Sequence, residues 1–394
     1  RFYSAKIKEA APPQWRVRER GKIRLGYFSA DFHAHATSHL IANLLELHDR
    51  QRFEVIGFSY GRRQDDSLRR RVEGACDHMV EASAMTDEEI VAQARALEIN
   101  IAIDLKGYTQ FARTNVFAAH AAPIQVSYLG YPGTMGARFI DYFIGDEIIL
   151  PKEHQRFFTE KIVYLPNTYQ PNDSARAPIA SIPTRPELGL PENAFVFCGF
   201  NAPYKISPVL FDVWMRLLNN VEGAVLWLLA GDPIAMDNLR REAAQRGISP
   251  DRLIFAPRLP LPQHLARHKA ADLFIDTFYY SAHTTASDAL WAGLPLVTLL
   301  GETLAGRVAA SLLNAAGMSE LIAHTPEAYE AMALAFAQNP GRLAEIRGKL
   351  QANVLQSPLF DTPRYARHLE TAYEQMWARR RAGQAPDHIF VREE

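Results

Sequence analysis

Short apolar runs alternate with longer segments of helical periodicity along the first half of the chain. The runs are rich in β-branched and aromatic residues and end in glycine or polar residues, which predicts strands at 22–32, 53–60, 99–107 and 122–133. The segments between them keep apolar residues at helical spacing, which predicts helices at 38–50, 66–75 and 86–98. Thr86 begins a T-x-x-E capping box. This alternation of strand and helix predicts a parallel sheet.

The same alternation begins again after a proline-rich stretch. Residues 176–193 lack any sustained apolar period and predict an interdomain linker. The strands predicted after it lie at 195–201, 224–231, 253–259, 272–278 and 294–301. The helices predicted after it lie at 208–219, 236–246, from Thr284 onwards, at 326–338 and at 341–353. A last helical pattern places Tyr365, Leu369, Tyr373 and Met376 on one face, and we expect that helix to pack back on the first domain.

A chain of 394 residues is too long for one compact core and predicts two domains. The predicted fold class is α/β, with two Rossmann-like, doubly wound lobes facing a cleft. Ligands bind beyond the carboxyl ends of the strands in such sheets, so functional residues are expected on the loops that follow strands. The predicted boundaries are 1–21 for the end of an upstream helical region, 22–175 for the first lobe, 176–193 for the linker, 194–358 for the second lobe, and 359–394 for the C-terminal helix and tail.

Composition narrows the class of partner. The 43 basic and 44 acidic residues nearly cancel, so no net field favours nucleic acid or an anionic membrane surface. The longest apolar runs are far shorter than the roughly 20 residues that a membrane span needs. Cys76 and Cys198 make no CxxC pair, which fits a reducing cytoplasm. The chain starts at Arg1 rather than at a methionine, and we expect an upstream region before it.

The segment SAHTTASDALWA at 281–292 follows a predicted strand and opens a helix. A helix N terminus offers free N–H groups and a positive dipole end, and the hydroxyls of Thr284 and Thr285 add donors, so a diphosphate would be well satisfied there. Asp288 lies one turn deeper, and its carboxylate suits the two hydroxyls of a ribose. The alternative interpretation is a threonine N-cap with an acidic residue in the favourable first turn. From this segment alone the two interpretations are about equally supported.

Two other loops follow predicted strands. In FNAPYKISP at 200–208, Lys205 either neutralises a departing diphosphate or is an ordinary solvated lysine. In SADFHAHATSHL at 29–40, no carboxylate or cysteine cluster accompanies three histidines at the spacing of metal ligands, so a metal site is the less favoured interpretation. These histidines are His33, His35 and His39. A histidine there either helps to bind or deprotonate an acceptor or only caps and hydrogen-bonds the chain.

A turn and a further helix are the remaining candidate ligand-binding segments. LGYPGTMG at 129–136 either brings bare backbone towards a ligand or is simply a tight turn. His264 and Arg267 lie at the start of a predicted helix. Either a ring there stacks on a base, or the segment is an ordinary surface helix without a ligand. The chain contains no D-x-D or GxxxxGK[ST] motif and no GxGxxG after its first strand. These absences count against D-x-D-type metal-dependent sugar transfer, P-loop hydrolysis and dinucleotide redox.

Several long motifs together resemble the catalytic region of the O-linked N-acetylglucosamine transferases, in a bacterial-type member. They occur in order from about residue 22 to residue 391: SADFHAHATSHL, DLKGYTQFAR, APIQVSYLGYPGTMGARFIDY, FNAPYKISPVLFDVWMRLL, HTTASDALWAGLPLVTLLGETLAGRVAASLL, SPLFDTPRY and GQAPDHIF. The resemblance implies a GT-B fold and an inverting, metal-independent enzyme without a cofactor. Its implied reaction moves N-acetylglucosamine from UDP-GlcNAc to Ser or Thr hydroxyls of proteins. The family usually carries tetratricopeptide repeats ahead of this region, which guide protein substrates.

The resemblance also implies roles for individual residues. Lys205 would stabilise the UDP leaving group, and His35 would lie beside the sugar and the acceptor, where it is also a candidate general base. The donor-binding residues that it implies are Thr284 and Thr285 at the diphosphate, His283 near phosphate and sugar, Asp288 at the uridine ribose, His264 and Arg267 at the uracil, and Leu129, Gly130 and Pro132 along the sugar. No metal ligand is implied.

Four positions depart from the family pattern. Ala202 replaces a polar amide, Leu261 a basic residue near the ribose, Asn100 a histidine on the sugar side, and Tyr280 a cysteine near the N-acetyl pocket. UDP-glucose or another UDP-hexose therefore stays open as the donor. The alternative functions are a transferase acting on another acceptor, a UDP-sugar epimerase, and an inactive UDP-sugar sensor or scaffold.

Overall fold

The computed structural model describes residues 7, 9–15, 21–176, 179, 181–354 and 356–393. Most of the predicted upstream helical region at 1–21 and part of the predicted linker at 176–193 lie outside the described residues. The chain divides into two compact units. The first comprises Arg1–Ala175 with Asp361–Glu394, and the second comprises Arg176–Phe360.

Strands and helices alternate through both units. The strands are β1 Ile23–Ser29, β2 Phe53–Ser59, β3 His78–Glu81, β4 Ile101–Asp104, β5 Ile124–Ser127, β6 Tyr142–Gly145, β7 Lys161–Tyr164, β8 Val196–Gly199, β9 Val225–Leu229, β10 Leu253–Ala256, β11 Leu273–Ile275, β12 Leu296–Leu299, β13 Ile322–Ala323 and β14 Ile389–Phe390. The helices are α1 Ala36–Leu47, α2 Ser67–Gly74, α3 Asp87–Ala96, α4 Thr114–Ala118, α5 Pro208–Asn220, α6 Pro233–Gln245, α7 Leu261–His268, α8 Thr284–Trp291, α9 Leu304–Ala315, α10 Pro326–Gln338, α11 Pro340–Val354 and α12 Thr362–Arg381.

Each unit is built on one parallel sheet. The first has the order β14-β7-β6-β5-β4-β1-β2-β3 and the second β10-β9-β8-β11-β12-β13. All neighbouring pairs in both orders are parallel. Counted from β1 and from β8, both sheets have the 3-2-1-4-5-6 order of a Rossmann fold. The predicted α/β class and the two Rossmann-like lobes are therefore confirmed.

The order reverses between β1 and β4 in the first sheet and between β8 and β11 in the second. In doubly wound sheets this reversal opens a crevice beyond the carboxyl ends of the strands, and ligands bind there. The loops that follow these four strands are consequently where a site is expected in each unit.

Helix α12 belongs to the first unit although it follows the whole second unit in sequence. Its residues Tyr365, Leu369, Tyr373 and Met376 are buried in the same apolar cluster as side chains of β1 and α1. Two tyrosine pairs add hydrogen bonds to this packing: Tyr128 with Tyr365 at 2.5 Å and Tyr27 with Tyr373 at 3.2 Å. Burial of large side chains contributes about 1.5–3 kcal/mol each, so the face of α12 is a substantial part of this core.

Local signals place most helix ends correctly. The capping box at Thr86 is present, because its hydroxyl accepts from the N–H of Glu89 and the Glu89 carboxylate accepts from the N–H of Thr86. The predicted start of α1 near residue 38 is wrong, since that helix begins at Ala36 with His35 as its N-cap. The sequence prediction also missed β3, β6, β7, β13 and β14, which have four residues or fewer. No helix within the described residues is long and apolar enough to span a membrane.

Candidate functional site

Asp276 organises the loop that follows β11. Its carboxylate is fully buried, and Oδ1 accepts from the backbone N–H groups of Thr277 and Ala282, both at 2.7 Å. The amide of Asn201, which follows β8, donates to the same oxygen at 2.9 Å, and the hydroxyl of Thr298 donates to Oδ2 at 2.7 Å. Burial raises the pKa of Asp276, while these hydrogen bonds oppose the shift. Asp276 therefore ties both strands at the reversal point to one loop.

Helix α8 begins where this loop ends. His283 is its N-cap residue, and no side chain caps the helix by a hydrogen bond. The hydroxyl of Thr285 donates instead to Oδ1 of Asn201 at 3.0 Å. The alternative interpretation of a threonine N-cap is therefore wrong. The backbone N–H of Ala286 donates to the carbonyl oxygen of His283 at 3.0 Å, and the N–H groups of Thr284 and Thr285 precede this first bond. Together with the helix dipole, these two N–H groups suit an anion next to the partly exposed Thr284.

The imidazole of His283 is neutral in this setting. Burial, and after it the charge of Lys205, lowers its pKa to about 3. Its Nε2 lies 3.1 Å from the carbonyl oxygen of Ala305. Because a carbonyl only accepts, Nε2 carries the proton and Nδ1 carries the lone pair. The ring can thus accept a hydrogen bond beside the N terminus of α8 but adds no charge.

Lys205 reaches over the same loop from the turn that follows β8. Its Nζ donates to the carbonyl oxygen of Ser281 at 2.9 Å and lies 4.0 Å from the centre of the Tyr280 ring. Burial lowers the pKa of Lys205 to about 8, and the nearby charge of Asp276 opposes that shift. The ammonium is therefore charged at neutral pH and lies beside the loop that leads into α8.

Asp288 lies one turn into α8, as predicted, and is buried. Its Oδ1 is 3.2 Å from Nη1 of Arg176, and its Oδ2 is 4.0 Å from Nε2 of His264. Burial raises the pKa of Asp288 to about 6, although Arg176 favours the charged form. The sequence prediction missed Arg176, because a lone arginine in a proline-rich stretch carries no periodic or motif signal.

His264 and Arg267 lie on α7 but differ in exposure. Arg267 is only 1% exposed, and its guanidinium donates to Nδ1 of His264 and to the carbonyl oxygen of Pro257. It also stacks 4.4 Å from the centre of the Phe200 ring. Burial holds the pKa of His264 far below its usual range. His264 thus has a neutral ring, and the hydrogen bond from Arg267 to Nδ1 orients that ring.

In the first unit an ion pair bridges the reversal point. Nζ of Lys106, after β4, donates to Oδ2 of Asp31, after β1, at 2.6 Å, and both side chains are buried. The same oxygen is 3.5 Å from Nδ1 of His35. That nitrogen accepts from the N–H of Thr37 at 3.2 Å, and burial lowers the pKa of the ring. A neutral His35 therefore carries its proton on Nε2, where it acts as a donor.

These side chains border a pocket of about 450 Å³ within the first unit. Its lining includes Asp31, His33, His35, Lys106, Phe111 and Gly130. Phe111 is 69% exposed and has a φ of 65°, a conformation that non-glycine residues rarely adopt. The predicted residues His35 and Gly130 are thus brought to one pocket, although 95 positions separate them in sequence (130 − 35).

The turn after β5 passes close to the end of β4. Leu129 has a φ of 69°, and a Cβ at Gly130 would lie 1.9 Å from the carbonyl oxygen of Leu105. Only glycine fits such an approach. Leu129 and Pro132, on either side of it, are partly buried. The bare backbone at Gly130 therefore lies against the end of β4, and its predicted approach to a ligand stays a prediction. Within the described part of the chain, no group of three or more His, Cys, Asp or Glu side chains is placed to hold a metal ion.

Comparison with known proteins assigns this pair of Rossmann-like units to a family. The family model described as glycosyl transferase family 41 matches residues 8–177 and 170–369. The chain belongs to glycosyltransferase family 41. A probable UDP-N-acetylglucosamine–peptide N-acetylglucosaminyltransferase of Arabidopsis thaliana, SEC, is 38% identical over 94% of this chain and 39% of its own length. The corresponding Caenorhabditis elegans enzyme is 29% identical over 93% of this chain and 42% of its own length.

Solved structures agree with the assignment to family 41. A mutant O-GlcNAc transferase of Thermobaculum terrenum superposes with a TM-score of 0.81 at 32% identity, covering 90% of this chain and 68% of that chain. Anabaena HepE in complex with UDP and glucose gives a TM-score of 0.60 at 14% identity, covering 90% of this chain and all of its own, which shows the shared GT-B fold. The chain spans about two fifths of the length of the curated relatives named above.

Proposed function

We propose that this family 41 chain transfers N-acetylglucosamine from UDP-GlcNAc to Ser or Thr hydroxyls of proteins. Relatives that match nearly the whole chain are named as UDP-N-acetylglucosamine–peptide transferases. The observation that carries the proposal is the placement of the Lys205 ammonium on the loop that leads into the N terminus of α8. That combination provides the charge compensation which a departing nucleoside diphosphate needs.

The proposed reaction is a single inverting displacement. The acceptor oxygen attacks the anomeric carbon in line with the bond to the β-phosphate oxygen, and that bond breaks with its electron pair leaving on UDP. The proton of the acceptor hydroxyl is released to water. Lys205 and the first turn of α8, with Thr284 and Thr285, stabilise the negative charge that develops there. Because these groups supply positive potential themselves, we propose that the reaction needs neither a metal ion nor another cofactor.

The remaining predicted residues receive roles in donor binding. Asp288 accepts from the ribose hydroxyls, and the neutral ring of His264 faces the uracil with Arg267 behind it. His283, next to the phosphate and the sugar, accepts from a sugar hydroxyl through Nδ1. In the first unit, the turn at Leu129, Gly130 and Pro132 lines the sugar.

His35 acts as a donor to the sugar or the acceptor in this proposal. Its Nδ1 already accepts from the N–H of Thr37, so the proton of the neutral ring is on Nε2. That tautomer cannot remove a proton through Nε2, which counts against His35 as the general base.

We further propose that protein acceptors reach the enzyme in the cytoplasm through tetratricopeptide repeats. The basis is the family resemblance, together with the length of the relatives beyond the part that this chain matches. Short peptides should therefore serve as acceptors for the chain alone, while large proteins should be modified slowly until such repeats are supplied.

The test incubates the purified chain with UDP-GlcNAc, UDP-GalNAc or UDP-glucose in EDTA, with and without Ser/Thr peptides. UDP release, sugar incorporation and the anomeric configuration of the product are measured. The variant Lys205→Ala removes the proposed leaving-group partner, and Lys152→Ala removes an exposed lysine of the first unit as a control. Metal-independent transfer of β-linked GlcNAc that is lost only in Lys205→Ala supports the proposal.

The other outcomes identify the alternatives. Interconversion of UDP-hexoses without an acceptor would indicate an epimerase, and transfer from UDP-glucose alone would change the donor. UDP binding without any turnover, even with repeats supplied, would indicate a sensor or scaffold. Loss of transfer in EDTA that returns with a divalent cation would contradict metal independence.

A further inference from the structure

The charge of Lys205 has an unusual set of neighbours. Its partly buried ammonium donates to one carbonyl oxygen, that of Ser281, and lies against the face of Tyr280. The negative charge that acts on it is that of Asp276, whose carboxylate oxygens already accept five hydrogen bonds. The ammonium is thus stabilised mainly by neutral groups.

Tyr280 is held in place from both its backbone and its ring. Its carbonyl oxygen accepts from the hydroxyl of Thr277 at 2.7 Å. Its ring lies 4.9 Å from the ring of His283 and 6.4 Å from that of Tyr204, measured between centroids. The Tyr280 ring is therefore next to both Lys205 and His283, the N-cap residue of α8, where the proposed diphosphate seat begins.

We propose that Tyr280 is a positioning residue for Lys205, whose ring face holds the ammonium in place beside the N terminus of α8. The inference rests on the proposed function only where it takes the N terminus of α8 as a diphosphate site. The contact between the Tyr280 ring and Lys205 does not depend on that function. An aromatic face attracts a cation through its quadrupole without adding net negative charge. A carboxylate in the same place would also hold the lysine, but its negative charge would repel the diphosphate and offset the positive potential of the seat.

The groups that face Lys205 are few, which makes its titration interpretable. Asp276 contributes from the end of β11, Tyr280 and the Ser281 carbonyl from the following loop, and His283 from the start of α8. His283 is neutral above pH 4 because its pKa is about 3, so it does not titrate together with the lysine. Removal of the ring should therefore act on Lys205 directly.

The experiment compares four variants of the whole chain. Tyr280→Leu removes the aromatic face, and Tyr280→Phe keeps the face but loses the hydroxyl. A fluorinated phenylalanine at position 280 keeps the shape but weakens the negative face of the ring. Tyr279→Leu is the matched control, because Tyr279 is the adjacent tyrosine and is 68% exposed. The titration of the Lys205 ammonium is followed by NMR on lysine-labelled protein, with Lys205→Arg to assign the signal, and UDP and uridine affinities are measured at pH 8.

The expected effect on Lys205 depends on how much of the aromatic face each variant keeps. In Tyr280→Leu, and less strongly in the fluorinated variant, Lys205 loses its proton at lower pH, and UDP affinity at pH 8 falls by about fivefold to tenfold. Uridine affinity stays the same in both, since uridine has no phosphate. Tyr280→Phe and Tyr279→Leu titrate like the unaltered chain.

Two results would overturn the inference. One is an unchanged Lys205 titration in both Tyr280→Leu and the fluorinated variant, and the other is an equal loss of UDP and uridine affinity. The fluorinated variant preserves the packing, so the test stands even if Tyr280→Leu does not fold. Failure of the proposed transferase function would appear differently: the ring would still control Lys205 and UDP affinity, while no sugar would be transferred by the unaltered chain.

Discussion

Nη1 of Arg176 lies 3.2 Å from Oδ1 of Asp288, and the same guanidinium stacks 4.9 Å from the centre of the Trp291 ring. The arginine side chain is only 6% exposed, so this ion pair is largely shielded from solvent. Asp288 and Trp291 are both on α8, which means that Arg176 holds the helix at two points on one side. Its pairing with Oδ1 orients the carboxylate and leaves Oδ2 on the side of His264.

Arg176→Gln should weaken UDP binding by about tenfold, since one charge-assisted hydrogen bond contributes about 1.5–3 kcal/mol. If Arg176 acts through the ribose contact of Asp288, the variant should also discriminate less between UDP and 2′-deoxy-UDP, as measured by calorimetry. Arg216→Gln is the control, because it breaks an ion pair with Glu330 in the same unit whose arginine is 54% exposed. Unchanged discrimination between UDP and 2′-deoxy-UDP would contradict the role of Arg176.

The affinity for UDP should depend on pH through two groups of the second unit. Asp288, with a pKa of about 6, accepts hydroxyl protons fully only above pH 6, and Lys205, with a pKa of about 8, carries its charge only below pH 8. Affinity should therefore be highest between these values and fall on either side. Lys205→Arg should keep the affinity for UDP high to a higher pH, because a guanidinium stays charged. Asp288→Asn should reduce the part of the decrease in affinity at acid pH that comes from the protein. An alkaline fall that persists unchanged in Lys205→Arg would contradict this assignment.

The sequence predicts the fold well where its signals are local and periodic. The capping box at Thr86 and the alternation of strands and helices depend on neighbours along the chain, and both are confirmed. The two- to four-residue strands such as β3 and β13 were missed because a parallel ladder is completed by partners far away in sequence. The start of α1 differs from the predicted residue 38 because the ring of His35 forms the N-cap and the helix begins at Ala36.

In the candidate site, too, residues marked by local motifs were predicted and residues that depend on distant partners were missed. Thr284, Thr285, Asp288 and Lys205 were found because motifs after strands mark them, and the structure brings them to one region of the second unit. Asn201 and Asp276 were missed, although both follow strands at the reversal point and the strand order would have indicated them. Arg176 and the cation–π contact of Tyr280 depend on tertiary packing alone. No pattern along the chain could have shown them.

Asn201 should contribute to the stability of the second unit. Its amide joins Asp276, Thr277 and Thr285, so Asn201→Ala removes three hydrogen bonds and leaves buried polar groups with fewer partners. We expect the free energy of unfolding to fall by about 2–3 kcal/mol, against about 1 kcal/mol for Thr285→Val, which removes one of the three. Urea unfolding followed by tryptophan fluorescence measures both. Equal losses in the two variants would show that the bonds from Asn201 to the Asp276 loop contribute nothing.

Gly130 should be irreplaceable, whereas Gly133 in the same turn should not be. A Cβ at Gly130 would lie 1.9 Å from the carbonyl oxygen of Leu105, a backbone atom that cannot rotate away, while the nearest atom to a Cβ at Gly133 is in the Tyr131 ring at 3.4 Å. We expect Gly130→Ala to lower the free energy of unfolding by about 3 kcal/mol, at the upper end of overpacking costs, and Gly133→Ala to change it little.

The functional consequence of Gly130→Ala follows from its position. The clash must push the turn away from the end of β4, and Leu129 and Pro132 move with it, so sugar transfer should fall more than UDP affinity, which depends on the second unit. Thermal unfolding, calorimetry with UDP and the transfer assay are measured on both alanine variants. If Gly130→Ala unfolds and transfers sugar like Gly133→Ala, the close approach of the turn to β4 is not a constraint on the active enzyme.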